Sequence, residues 1–258
     1  MLDVRNLALG YGATPVLEGV NLSISSGKFV SLVGPSGSGK STLLRAITGL
    51  QPPSAGTIAL SIDPGELGIL FQDDALLPWR RADENVALGL RLKGMSRDLA
   101  LQQAELWLRR VGLDGYGRRY PRELSGGQRK RVALAQVLAR RPKLLLMDEA
   151  FSAVDAIVRA RLTQDLVRFA EAEQIAVLLV THDLEEALAL SDVVYLLSRG
   201  PHARMSQRYE VPIGRPRNVI EARAHPAFAN LLQRLWRDLS REVVTGETEA
   251  GAWSAYEI

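Results

Sequence analysis

Residues 28–50 read "KFVSLVGPSGSGKSTLLRAITGL". Phe29 to Val33 form a short, largely apolar run of the length expected for a buried strand. Glycines at 34, 37 and 39 then interrupt any regular period, and Lys40 follows the last of them. Beyond Lys40, the apolar residues Leu43, Leu44 and Ile47 recur at helical spacing, and Gly49 ends the run ahead of Pro52 and Pro53. Strand, glycine loop and helix in that order match the pattern G-x-x-x-x-G-K-[S/T] in its proper context. The glycines let backbone N–H groups curl around a β-phosphate, and the helix start adds unpaired donors and a partial positive charge. Lys40 is then expected to reach the β- and γ-phosphates, and Ser41 to offer its hydroxyl to Mg²⁺.

A loop of this kind needs a carboxylate at the end of a neighbouring strand to order the metal. "KLLLMDE" (143–149) supplies one, with Asp148 placed for the metal and Glu149 placed to take a proton from attacking water. Other strands are expected in "LGILFQ" (67–72), "IAVLLVTH" (175–182) and "DVVYLLS" (192–198), giving a mostly parallel sheet. The strand pattern lapses between 73 and 141. There Leu101, Ala104, Leu108 and Val111 keep helical spacing and another helix follows Ser125, which reads as a helical insert. The first thirty residues, with the turn "SSGK" between "NLSI" and "FVSLV", predict an antiparallel sheet at the front. The polar stretch 244–258 predicts a mobile tail.

Composition narrows the field. The chain of 258 residues has no cysteine, which excludes disulfides and thiolate metal sites. A formal net charge of +3 gives no strongly basic surface for nucleic acid. "MLDVRNLALGYG" lacks the basic and apolar regions of a signal peptide, and apolar runs such as "IAVLLV" fall far below the ~20 residues of a membrane span. Any membrane role is expected to come through a partner.

"ELSGGQRKR" (123–131) poses a second question, because it is another glycine-rich helix opening and has no lysine at the loop's end. Ser125 can cap the following helix, with Gln128 completing a capping box. That leaves two readings: a well-capped helix only, or a phosphate site whose lysine comes from another chain. Spacing alone leaves both open.

Taken with the phosphate loop and "LLLMDE", "LSGGQ" resembles the ATP-binding subunit of ABC transporters over nearly the whole chain. Tyr11 in "GYG", Gln72 in "LFQDD", "SAVD" (152–155) and "THD" (181–183) follow in the family's order. The resemblance implies an α/β fold: a P-loop NTPase (RecA-like) core with a mostly parallel sheet, a front antiparallel β subdomain and an inserted α-helical subdomain. The expected division is 1–72 and 142–215 for the core, 73–141 for the helical subdomain, 216–243 for a C-terminal helical segment and 244–258 for the tail. It also implies a head-to-tail dimer in which each ATP lies between one subunit's phosphate loop and the other's "LSGGQ". Tyr11 then stacks on adenine. Gly34, Pro35, Ser36, Gly37, Ser38, Gly39, Lys40, Ser41 and Thr42 bind ATP, and Ser41, Gln72 and Asp148 serve Mg²⁺. Glu149, His182 and Gln72 carry the catalysis. Asp155 lines the dimer seam, and Ser125, Gly126, Gly127 and Gln128 close over the partner's ATP.

Two departures stand out: Ala150 occupies the family's usual proline position, and "TIALSIDPGELGILFQ" is shorter than its usual strand–loop–strand. "DDALLPWRR" after Gln72, with Leu76, Leu77, Pro78 and Trp79, resembles importers for taurine, aliphatic sulfonates and nitrate, and "VPIGRPR" (211–217) agrees. The partners implied are a second ATP-binding subunit, transmembrane permease subunits and a periplasmic or extracellular solute-binding protein, with no nucleic acid. The expected location is peripheral, on the cytoplasmic face of the inner membrane. A soluble ABC-type ATPase is the alternative. A stand-alone P-loop phosphotransferase would leave "LSGGQ" without a task.

Overall fold

The computed structural model describes residues 1–12, 14–151 and 154–250, with side chains of the last helix described as far as Val243. Ser152 and Ala153 of "SAVD", and residues 251–258 of the expected tail, lie outside the described residues. The apolar runs read from the sequence become β3 (Phe29–Val33), β5 (Leu67–Leu70), β6 (Leu144–Asp148), β7 (Ala176–Val180) and β8 (Val193–Leu197). They join β9 (Met205–Glu210) in a six-stranded sheet of order β5-β6-β7-β3-β8-β9. The β5-β6, β6-β7, β7-β3 and β3-β8 pairs are parallel, and β9 runs antiparallel to β8.

Because side chains alternate across a strand, each central strand feeds two separate cores. Phe29, Val33, Leu145, Met147, Val177 and Leu179 point into one. Val30, Leu32, Leu144, Leu146, Leu178 and Val180 point into the other. The second core is covered by β1 (Leu2–Tyr11), β2 (Thr14–Ile24) and α1 (Lys40–Ile47), which contribute Leu7, Leu17, Leu43 and Ile47. The first core is covered by the helices. These are α2 (Ala82–Leu92), α3 (Arg97–Arg110), α4 (Gly126–Ala139), α5 (Ala156–Ala172), α6 (Leu184–Leu190), α7 (Val219–Ala224) and α8 (Pro226–Ala250).

The front sheet is three-stranded, ordered β2-β1-β4, with β4 spanning Ala55–Leu60, and both pairs are antiparallel. Its membership differs from the expectation in one respect. "SSGK" does not close a hairpin: it passes the chain from β2 in one sheet to β3 in the other. Pairing explains the change. Every residue of β3 is buried, and only a central position between β7 and β8 satisfies the backbone on both sides. The short "TIALSIDPGELGILFQ" segment likewise spans both sheets, β4 ending one edge and β5 another.

The insert holds three helices where two were read. In α2, Val86, Ala87 and Leu90 are buried and Glu84 accepts from the Arg81 backbone N–H at 3.2 Å, so a helical signal was present. The last helix runs through Ala250, past the expected boundary at 243. Extending a helix that Phe228, Leu231 and Leu235 anchor to the core costs far less than starting one, and Glu and Ala in "GETEA" favour continuation.

Candidate active site

The phosphate loop sits where β3 ends and α1 begins. Gly37 and Gly39 have φ of 77° and 90°, a region open to glycine at little cost. A Cβ on Gly39 would also lie 2.7 Å from Val16 Cγ1, so the loop's close seat against β2 depends on that glycine. Lys40 lies across the loop and donates from Nζ to the carbonyls of Gly34 (2.9 Å) and Pro35 (2.8 Å) and to Ser38 Oγ (3.3 Å). Burial pushes its pKa down, against the opposing pull of Glu149 and Asp148. Ser36 and Gly37 are exposed at the loop's tip, and Thr42 is buried at the helix start.

Asp148 is the last residue of β6, beside the end of β7, which separates it from β3. Burial raises its pKa, while a hydrogen bond from Ser41 opposes the rise. Ser41 and Asp148 thus lie near one another where α1 begins and β6 ends. Ser41, Asp148 and the Gln72 side-chain carbonyl offer hard oxygen donors of the kind Mg²⁺ takes, and a divalent cation would offset the cost of burying Asp148.

Glu149 has φ of 45°, an uncommon region for a residue with a Cβ. Its N–H donates to Val180 O at 2.9 Å, which holds the backbone turn against β7. Such strain at a chemical group is commonly worth about 1–3 kcal/mol and persists only where surroundings fix it. Ala150, almost fully buried, lets the preceding residue adopt this conformation without the limits a following proline imposes. Glu149 Oε1 lies 3.0 Å from His182 Nδ1, so two residues 33 apart in sequence meet at one corner.

Behind His182 lies a small network that the sequence did not reveal. Thr181 Oγ1 donates to Glu186 Oε2 at 2.8 Å and accepts from the Asp183 N–H at 3.1 Å. Asp183 in turn caps α6, accepting from the Glu186 N–H at 3.0 Å. His182 is therefore carried on a backbone fixed from both sides.

Tyr11 stands at the tip of β1, half exposed, with its hydroxyl hydrogen-bonded to Thr42 and 3.4 Å from Arg45 Nη1. The Thr42 contact comes first among the causes that lower its pKa. Gln72, two residues past β5, is exposed.

"LSGGQ" opens α4 with the expected capping box: Gln128 N–H donates to Ser125 Oγ (3.3 Å), and Ser125 N–H donates to Gln128 Oε1 (2.9 Å). Ser125 and Gly126 are exposed, and Gly127 is half-buried. Helix α1 packs into one core and α4 into the other, on opposite faces of the sheet. Asp155 caps α5, accepting from the Val158 N–H at 3.0 Å, and is itself exposed. The basic run that follows "LSGGQ" is turned inward: Arg129 and Lys130 hold Asp74 at 2.8 and 3.2 Å, and Arg131 donates to Val111 O at 2.8 Å.

A family model described as "ABC transporter" matches residues 17–152. The chain is 45% identical over 206 residues to the taurine import ATP-binding protein TauB of Escherichia coli O157:H7, covering 78% of this chain and 81% of that one. It is 42% identical over 239 residues to the aliphatic sulfonates import ATP-binding protein SsuB 1 of Paracoccus denitrificans (strain Pd 1222), covering 93% of each. Among solved structures, the dimeric structure of MJ0796, a bacterial ABC transporter cassette, superposes with a TM-score of 0.74 at 30% identity. That match covers 83% of this chain and 100% of the cassette. A post-hydrolysis state of the same cassette, bound to ADP and Pi, gives 0.73 over the same shares of both chains. The parallel sheet, front antiparallel sheet and inserted helices are those of a P-loop NTPase.

Proposed function

This chain belongs to the ABC transporter family as its ATP-hydrolysing subunit, and from that premise we propose that it powers an importer for taurine or a related aliphatic sulfonate. The solute class follows from the relatives alone, because no residue of such a subunit meets the solute. One observation carries the mechanism: the lysine-bearing loop and the lysine-free helix opening belong to opposite faces of the sheet. Each is half of a pocket, and a second copy turned head to tail supplies the missing half.

In the closed dimer, Tyr11 offers a flat face to adenine, and Lys40 leaves its carbonyl partners for the phosphates. Ser41, Asp148 and Gln72 would hold Mg²⁺, which neutralises phosphate oxygens when bound. Glu149 accepts the proton of the attacking water, and His182, already 3.0 Å from it, faces the γ-phosphate. Ser125 and the N–H groups of Gly126 and Gly127 meet the partner's nucleotide at a positive helix end. ATP closes the dimer and hydrolysis releases it, so that permease subunits alternate their opening.

The permease is proposed to dock near the exposed edge of β5. A groove of about 280 Å³ opens there, lined by Ile69, Phe71, Leu88, Leu92 and Val137, with Phe71 and Leu92 exposed. It suits the apolar face of a short helix. Among the described residues, no helix is long and apolar enough to cross a membrane. Attachment at the inner face of the membrane therefore goes through that partner.

The test is turnover against protein concentration. Specific activity is expected to fall on dilution, and Glu149→Gln to form an ATP-dependent dimer that turns over at least about a hundredfold more slowly. Full activity from a dilute monomer would overturn the shared pocket.

A further inference from the structure

We propose that Asp74 is a positioning residue that locks the loop bearing Gln72 to the "LSGGQ" helix, so that each subunit's own ATP site informs the site it completes for its partner. This rests on the dimer proposed above. Both Asp74 carboxylate oxygens are engaged, Oδ2 by Arg129 Nε at 2.8 Å and Oδ1 by Lys130 Nζ at 3.2 Å. Lys130 is almost fully buried and also donates to the Gln72 carbonyl. The Arg129 guanidinium reaches the other way, donating from Nη1 to Leu124 O at 2.9 Å, immediately before Ser125. An unbroken polar chain therefore runs from Gln72 through Lys130, Asp74 and Arg129 to the first residues of "LSGGQ".

The far end of the same loop is fastened to the insert as well. Asn85, fully buried in α2, accepts from the Leu77 N–H at 2.8 Å. Its amide donates to the carbonyls of Leu77 (3.2 Å), Arg80 (3.0 Å) and Arg81 (3.0 Å). Residues 72–81 are thus bound to α2 and α4 at both ends, while the sheet strand that precedes them ends at Leu70. When the nucleotide draws Gln72, the insert follows, and the helix opening that faces the partner's ATP follows with it. Backbone bonds and burial alone would hold the insert in shape. A buried lysine charge held against a half-buried aspartate is better explained by the need to hold two functional loops in one register, since buried ion pairs are weak stabilisers.

Apolar replacement of the buried Lys130 and its half-buried partner Asp74 tests this, because such exchanges commonly leave stability intact. In the full chain, Asp74→Leu with Lys130→Met is expected to melt near the parent temperature and to keep the parent's affinity for a fluorescent ATP analogue. Its Hill coefficient for ATP turnover should fall toward one, and kcat should drop about three- to thirtyfold. Lys130→Arg, which retains the charge, should recover most of both. A cooperative parent and an equally cooperative double variant would sink the tether alone. A parent whose turnover ignores protein concentration would sink the dimer, and the tether with it.

Discussion

Glu186 places a carboxylate in the packing behind His182, and burial raises its pKa against the pull of Thr181, Arg159 and His182, with Asp183 adding to the rise. The sign follows from linkage. A group whose folded-state pKa exceeds its unfolded value contributes stability below the unfolded value and loses it as pH rises through the folded one. Glu186→Gln, which can still accept from Thr181, is therefore expected to melt above the parent at pH 8, by about 2–4 °C per kcal/mol recovered. The gap should shrink at pH 5. Calorimetry at both pH values checks it, and a gap that grows toward acid would exclude burial as the cause. At this scale the sequence is legible where chemistry is local. Glycines and Lys40 within one loop spell out a phosphate grip, and Asp148 with Glu149 ends a strand in acids. It is silent on Glu186 and Asp74, because their meaning lies in burial and in partners such as Arg129, 55 residues away.

Helix α4 joins two kinds of information in one element. Its first turn is capped by Ser125 and Gln128, its second carries the pair that grips Asp74, and Val132 and Leu134 farther along are buried in the core. Removing the cap with Ser125→Ala is expected to destabilise the chain by about 1 kcal/mol. The same change strips a hydroxyl from the proposed partner face, so ATP-dependent dimerisation in the Glu149→Gln background should weaken more than melting does. Analytical ultracentrifugation beside thermal unfolding separates the two; parallel losses would reduce Ser125 to a cap. The cap was readable from "LSGGQ" alone. The passage of "SSGK" between sheets was not, because strand runs do not disclose which sheet they enter: β2 and β3 look alike until their neighbours are known. Helix α2 was missed through its loop-like entry at "PWRRAD", although its buried face repeats at helical spacing.

For the molecule as a whole, the sheet is both a wall and a link: cores on its two faces support the two half-sites, and the loops at its edge connect them. The fold class was legible because alternating strand and helix runs admit few arrangements. The solute was not, since the solute class comes from the relatives alone. Trp79, 70% exposed beside Arg80 and Arg97, lies in the loop tethered to the insert and is suited to a permease contact. Trp79→Ala is expected to cut co-purification with the permease about tenfold and leave nucleotide affinity alone; undiminished recovery would confine the docking surface to the groove beside β5. Tyr11 carries a last consequence. It is borne on the front sheet, tied to Thr42 and Arg45 by its hydroxyl, with about half of its surface exposed. If it stacks on the base as proposed, an aromatic ring senses only that something flat has landed on it. A pump that identifies its fuel by the triphosphate handle and barely inspects the label would burn guanine and adenine grades alike.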